Sequence, residues 1–356
     1  MAIIKNYSAP PERLNTIAGR TAKPAGYVRM VSIEESSVSG TAKSTTGYIG
    51  VRWWDGTVEI IGAGVPATDY SWSKSVPAWS SAWSGQSPKE VYLWSATGAA
   101  DPTQSGDITY LNCNSNNLTS LDVSGLTELT LLFSNTNNLT SLDVRGLTSL
   151  TDLYCNNNNL TSLDVSGLTT LTYMECNSNN LTSLDVSELT SLINLYCSSN
   201  NLTSLDVSGL TVLTDLGCSS NNLTSLDVSE LTSLTDLFCN NNNLTSLDVS
   251  GLTSLTSLDC FNNTALTTLA FGSQNASLYT QAYSCTSLNN IRAVGTIVTS
   301  GYGFDFTNCT AITDAIAEQF FTDLGAGSVA IDLSTTSVTG GLDTSIATGK
   351  GYTVVT

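Results

Sequence analysis

Seven aspartates, Asp122, Asp143, Asp164, Asp185, Asp206, Asp227 and Asp248, recur at intervals of 21 residues, each at the same place in an LDVS or LDVR sequence. Stacked carboxylates repel one another unless compensated, and oxygen donors of this kind suit a hard cation, so the seven are calcium candidates. The competing reading needs no metal: an aspartate just before a turn accepts the backbone N–H of the turn as an Asx-turn or N-cap. That reading predicts that a chelator leaves the melting temperature nearly unchanged, and no cofactor is expected. The chain also holds nine cysteines, of which Cys155, Cys176, Cys197, Cys218, Cys239 and Cys260 keep the same 21-residue interval. Cysteines in register on neighbouring parallel strands point their Cβ vectors side by side, which is poor geometry for a disulfide. Tetrahedral zinc needs ligands that converge on a point, and a ladder runs along a line. Free buried thiols are therefore expected. The sequence contains no histidine, which removes Ser/His and Cys/His nucleophilic pairs, and no phosphate-binding or dinucleotide fingerprint appears. The expectation is a protein that is not an enzyme.

These spacings come from one 21-residue unit, written LTSLDVSGLTTLTYMECNSNN at residues 160–180, which recurs with little change from about residue 108 to residue 263. A fixed period of this length means a solenoid of stacked units, because one unit is too small to bury its own apolar face. In the L-x-L-x-C segment the side chains alternate, so Leu153 and Cys155 are expected inside while Asp152, Tyr154 and Asn156 face outward. The asparagine column, from Asn158 to Asn263 at the same interval, is expected to satisfy buried backbone groups where the chain leaves the strand.

Leu150, Leu153, Cys155 and Asn158 stand as L-x-x-L-x-C-x-x-N, and with them the unit resembles the leucine-rich repeat family. Its 21-residue length and LTSLDVS wording are similar to short bacterial repeats of the internalin kind. Cys285-Thr286-Ser287-Leu288 with Ile291, and Cys309-Thr310-Ala311-Ile312, resemble the BspA-like bacterial variant at longer spacing. The resemblance implies a β-rich leucine-rich-repeat solenoid of parallel strands and convex turns, with Leu160, Leu163, Val165 and Leu168 on the convex side. A small N-terminal β domain and a C-terminal α/β cap complete the expected fold class.

The strand face is the candidate binding surface, through the outward residues Tyr110, Phe133, Asp152, Tyr154, Tyr173, Glu175, Tyr196, Asp215, Asp236, Phe238 and Asp259. Aromatics among carboxylates stack on sugar rings or anchor a protein while the acids accept hydrogen bonds. The alternative is that the rings only cover the sheet and stack on one another. Seven Asn-Leu-Thr triplets, from Asn117 to Asn243, match the glycosylation sequon and read as repeat wording.

The flanks differ in kind. We expect an arm over 1–26, a Trp-rich β module capping the first repeat over 27–106, regular repeats over 107–263, irregular repeats over 264–313 and a C-terminal cap over 314–356. Residues 47–54 and 57–61 alternate around Asp55-Gly56, a hairpin signal. All six tryptophans (Trp53, Trp54, Trp72, Trp79, Trp83, Trp94) lie in the first hundred residues, as the core of that module or as a docking surface. Residues 314–324 carry helical spacing in Ile316, Phe320 and Leu324, and strands are expected at 328–333 and 351–355. Residues 1–100 have nine basic and seven acidic groups (+2), residues 101–356 three and 23 (−20). So acidic a repeat region repels nucleic acid and anionic membrane. The start shows no signal-peptide core and the chain no membrane-length apolar run. Function is expected to be structural and attachment-related: a bacteriophage virion surface component, held to other virion proteins by the arm and Trp-rich module, with a host protein or glycan on the strand face. The alternative is a bacterial cell-surface adhesin of internalin or BspA-like type.

Overall fold

The computed structural model describes residues 5–6, 27–32, 37–44, 48–52, 58–62, 70–75, 89–95, 108–272, 278–293, 303–323, 330–334, 344–349 and 353–355. The chain forms two compact units, Met1–Asn180 and Leu181–Thr356.

The first unit opens with β1 (Lys5–Asn6), β2 (Tyr27–Ser32), β3 (Ser37–Ser44), β4 (Tyr48–Arg52), β5 (Val58–Gly62), β6 (Tyr70–Ser75) and β7 (Lys89–Ser95). Its repeats supply β8 (Ile108–Asn112), β9 (Leu118–Asp122), β10 (Leu131–Phe133), β11 (Asp152–Tyr154) and β12 (Tyr173–Glu175). Strands β8, β10, β11 and β12 run parallel in register, as the 21-residue period requires. The amino-terminal module meets the first coil at two sheet edges: β3 pairs antiparallel with β8, and β2 pairs antiparallel with β9. Both edges would otherwise present unpaired backbone groups. The expected hairpin forms between β4 and β5, but pairing stops at Arg52 and Val58. Five residues therefore separate the strands, and Asp55-Gly56 lies outside the described residues. Lys5 and Asn6, within the segment expected to be irregular, pair with Ile60 and Glu59 of β5.

The second unit contains β13 (Asn194–Tyr196), β14 (Asp215–Gly217), β15 (Asp236–Phe238), β16 (Ser246–Asp248), β17 (Ser257–Asp259), β18 (Thr268–Phe271), β19 (Tyr279–Gln281), β20 (Asn290–Ala293) and β21 (Phe304–Asp305). Helix α1 (Asp314–Asp323), β22 (Ala330–Asp332), α2 (Ser345–Gly349) and β23 (Thr353–Val355) follow. The expected terminal strands form as β22 and β23. Strands β21, β22 and β23 pair parallel, so helix α1 is the crossover that carries the chain from one sheet strand to the next. The buried face of α1 is Ala317, Phe320 and Phe321. Ile316, expected in the core, is only half-buried, because Phe320 fixes the rotation of the helix. Phe320 meets Phe304 and Phe306 edge-on at 5.4 and 5.7 Å, the geometry that aromatic quadrupoles favour. A second parallel sheet, β16, β18 and β20, lies on the other side of the coils.

In the regular coils the interior is set by position. For residues 160–180, Leu160, Leu163, Val165, Leu168, Leu171, Met174 and Cys176 are all buried, each worth about 1.5–3 kcal/mol in gross apolar transfer for a side chain of this size. Tight turns, with Leu168 N–H on the Val165 carbonyl and Leu171 N–H on that of Leu168, carry the chain round the convex side. The asparagine column does what its position requires. Asn158 Nδ2 donates to the carbonyls of Ser134 and Cys155, and its Oδ1 accepts the N–H of Leu139. One side chain thus supplies three buried backbone groups, and the same set recurs at Asn179, Asn221 and Asn242. The residue just before it is left-handed, for example Asn157 (φ 54°), Ser178 (φ 54°) and Ser220 (φ 54°), which costs an ordinary L-residue about 1–2 kcal/mol.

The cysteine column is buried and free of disulfides from Cys113 to Cys260, with Ser134 in one place. Burial pushes the thiols of Cys113, Cys155 and Cys197 up to about 12. Cys285 and Cys309 belong elsewhere. Register places Ala282 and Phe306 after Cys260 in the cysteine column, and Cys285 and Cys309 fall in the asparagine column.

Candidate strand-face binding surface

Every residue of the candidate set lies where alternation placed it, half-buried on the outward side of its strand. They form two rows, one before and one after the inward residue of each strand. The row before it runs Tyr110, Leu131, Asp152, Tyr173 in the first unit and Asn194, Asp215, Asp236, Ser257, Tyr279 in the second. The row after it runs Asn112, Phe133, Tyr154, Glu175 and then Tyr196, Gly217, Phe238, Asp259, Gln281.

In the first unit the rings turn to one another. Phe133 stacks on Tyr154 with centroids 4.4 Å apart, Tyr154 on Tyr173 at 4.7 Å, and Tyr110 meets Phe133 edge-on at 5.9 Å. Faces used in this way are closed to a sugar ring, so the stack offers edges and hydroxyls, which suit a protein contact better than a glycan platform. Burial beside Asp152 and Glu175 pushes the Tyr154 hydroxyl above its usual range. Asp152 Oδ2 accepts from Thr151 Oγ1 at 2.7 Å.

In the second unit the strand face is more acidic, with Asp215, Asp236 and Asp259 in its rows. Tyr196, Gly217 and Phe238 share one row, and a Cβ on Gly217 would lie 2.9 Å from Tyr196 Cδ1. Asp215 and Asp236 are direct neighbours in the other row. Desolvation raises the Asp259 carboxyl above its ordinary value. A third row escaped the sequence reading: Phe261 and Tyr283 stack at 4.3 Å and 9°. They follow the cysteine column, at the position held by Asn156, Asn177, Ser198, Ser219 and Asn240 in earlier coils. Aligning the units on their cysteines reveals the change.

That alignment also separates exposure from variation. The convex Thr-Ser pair, as in Thr161-Ser162, is identical in the seven coils from Thr119-Ser120 to Thr245-Ser246, although all but Thr119 of these side chains are exposed. The two strand rows, half-buried except at the buried Gly217, change residue type from coil to coil. If tolerance to change followed exposure alone, the order would be reversed.

The aspartate column stands on the convex side and its oxygens are engaged locally. Oδ1 of Asp164, Asp185, Asp206 and Asp227 accepts the N–H two residues on at 2.9–3.1 Å. The serine hydroxyls and N–H groups hold these carboxyls below the usual carboxylate range. Asp143 is paired with Arg145 at 2.8 Å. Among the described residues no group of three or more acidic, histidine or cysteine side chains is arranged to hold a metal ion, and no helix is long and apolar enough to cross a membrane. The Asn-Leu-Thr asparagines are exposed, with backbone N–H groups bonded to the preceding coil, as for Asn159 on the Leu139 carbonyl.

No protein-family description and no curated protein matches the chain. Among solved structures it is similar to the functional domain of InlJ from Listeria monocytogenes, described as including a cysteine ladder, at 30% identity. That likeness covers 70% of this chain and 63% of the other, with a TM-score of 0.34, so the chain spans less than two thirds of the InlJ domain. An internalin (inlF) from Listeria monocytogenes str. 4b F2365 is similar at 20% identity over 72% of this chain and 91% of the other, TM-score 0.40. A leucine-rich-repeat protein of Leptospira interrogans is similar at 17% identity over 69% and 83%, TM-score 0.30. The chain's own coils define its fold: one short parallel strand per 21 residues, leucine columns inside and an asparagine closing each turn make a leucine-rich-repeat type of β-solenoid.

Proposed function

We propose that this chain is a non-enzymatic attachment protein whose strand face recognises a partner macromolecule. The observation that carries the reading is the inverted pattern of variation: the rows that face outward on the strands change from coil to coil, while the more exposed convex pair does not. A surface selected only to cover the sheet has no reason to diversify faster than one bathed in solvent. Aromatic and acidic residues in those rows are the types that anchor protein interfaces and accept hydrogen bonds there.

The chain acts at a surface, displayed on a bacteriophage particle and docked through the amino-terminal arm and Trp-rich module. Nine cysteines fit synthesis in a reducing compartment, and those described are unpaired. A bacterial cell surface is the alternative, and mass spectrometry of purified particles against host envelope fractions separates the two. For recognition itself, the double substitution Tyr154→Ala with Tyr196→Ala is expected to weaken attachment to host cells while leaving the melting temperature nearly unchanged. Attachment equal to that of the parent would move the binding site off the strand face.

A further inference from the structure

We propose that Cys260 and Cys285 are the site of a peroxide-driven disulfide, a conditional covalent staple between two successive coils, and that no other pair of the nine cysteines is placed to form one.

The site follows from two columns that meet only once as sulfur against sulfur. In the regular coils the asparagine of one coil reaches the cysteine of the coil before it, as Asn263 Nδ2 does to the Cys239 carbonyl at 3.1 Å. One coil later the asparagine position holds Cys285 and the residue it reaches is Cys260, whose carbonyl accepts the Cys285 S–H at 3.3 Å. One coil later again, Cys309 reaches Ala282 at 3.1 Å, and alanine has no sulfur to offer. The side-by-side Cβ vectors that disqualify a ladder of cysteines do not arise between Cys260 and Cys285, which stand in different columns on adjoining coils. They do arise between Cys285 and Cys309, which share a column.

The thiols also touch one another. Cys285 Sγ accepts hydrogen bonds from the thiols of Cys260 and Cys309 and from the backbone N–H of Asn263. The two thiol bonds hold the Cys285 thiol below its ordinary value and raise those of the donors, so Cys285 is the nucleophile of the group. Its sulfur attacks one oxygen of hydrogen peroxide: an S–O bond forms, the O–O bond breaks, and the departing hydroxide takes the thiol proton away as water. Cys260 Sγ then attacks the Cys285 sulfenic sulfur. An S–S bond forms, the S–O bond breaks, and the Cys260 proton leaves with the hydroxyl as a second water. Each sulfur gives up one electron, and the peroxide is reduced.

Both cysteines are buried, so the oxidant must be small, and peroxide is barely larger than water; local opening of the coil admits it. Protein that has not met peroxide keeps its nine thiols free. A thiol offers the interior one donor where an asparagine amide offers two and an acceptor besides. The bridge would compensate for that weaker seal once the chain leaves a reducing compartment.

The test uses the full chain, purified with a reductant and then exchanged into buffer containing hydrogen peroxide. Thiols are counted after denaturation, and peptides are mapped without reduction. The parent is expected to lose two of its nine thiols, both in one linked peptide pair carrying Cys260 and Cys285. It should also melt higher by about 5 °C or more, the effect of closing a loop of this length, and a dithiol reductant should reverse both changes. Cys285→Asn, which restores the amide of the regular coils, should keep all its thiols under the same treatment, whereas Cys309→Ser should still lose two. Retention of all nine thiols by the parent at a peroxide dose that oxidises free cysteine would overturn the inference. So would a bridge that maps to Cys309 or any other cysteine, an equal loss from Cys285→Asn, or thiols that the reductant does not return.

Discussion

Cys285 donates its S–H to the carbonyl of Cys260 at 3.3 Å, in the place where Asn263 donates an amide to the Cys239 carbonyl at 3.1 Å. A thiol has thus replaced an amide in one column of the interior, and Cys309 repeats the exchange on the Ala282 carbonyl at 3.1 Å. Asparagine supplies more: the amide of Asn221 serves the carbonyls of Cys197 and Cys218 and the N–H of Leu202. Asn221→Ala leaves all three without that partner, so a loss of about 2–5 kcal/mol in chemical denaturation is expected from the cost of unpaired buried groups. Asn221→Cys should cost less, because one donor remains.

Thiol chemistry should follow burial. Native protein is expected to react slowly with a thiol reagent, while denatured protein exposes nine groups; intact disulfides on a non-reducing gel would contradict this. The same burial sets an alkaline limit. For Cys155 and Cys197 the thiol is held at about 12 against 9.0 when unfolded, so the folded state keeps a proton that the unfolded state releases. Their contribution is full below pH 9.0 and is lost as pH rises towards about 12. Urea midpoints measured across that window should fall steeply.

At the acid end the sign reverses. Asp164, Asp185, Asp206 and Asp227 titrate below 3.8 in the folded chain, so their contribution is present above that value and disappears as pH falls through the depressed range. Asp206→Asn should lower the melting temperature only slightly, since its amide oxygen still accepts the Ser208 N–H and only the charge-dependent part is lost, whereas Asp206→Ala should lower it further. A chelator should change neither; a large drop would restore the calcium reading of the aspartate column.

Gly272 has a different constraint. A Cβ there would stand 1.8 Å from the Ser250 carbonyl oxygen, where β18 crosses close to the preceding coil. Gly272→Ala should therefore cost about 3 kcal/mol or more through forced backbone displacement, at the upper end of overpacking effects. Gly251→Ala, whose nearest contact is Ser229 O at 3.5 Å, is the tolerant comparison in thermal melts.

The repeats were legible because period and alternation are local facts. Leu153, Cys155 and Asn158 could be placed from spacing alone, and the Asp164 turn from its neighbours. What stayed hidden depends on register between coils of unequal length. The step from Ser257 to Tyr279 is 22 residues, and this single extra residue puts Ala282 in the cysteine column and brings Cys285 into register with Asn263 in the asparagine one, which no count of cysteines reveals. The rotation of α1 was hidden likewise, since Phe320 packs against rings from outside the helix, Phe271, Phe304 and Phe306. For the candidate surface, outward placement was readable, but the mutual stacking of Phe133, Tyr154 and Tyr173 and the burial of Gly217 beneath the Tyr196 ring required neighbouring strands to be set side by side.

The ring stack in the first unit also makes the molecule spectroscopically divisible. All six tryptophans lie in the first hundred residues, whereas Tyr154 and Tyr173 lie face to face at 4.7 Å in the repeats. Tryptophan emission excited at the red edge therefore reports only the amino-terminal module. Coupled tyrosine transitions in the near-ultraviolet circular dichroism report the coils. Followed together through a thermal melt, the two signals would time the release of the module against the unwinding of the repeats without any label, and coincident curves would mean that the edges joined at β2–β9 and β3–β8 melt as one cooperative unit.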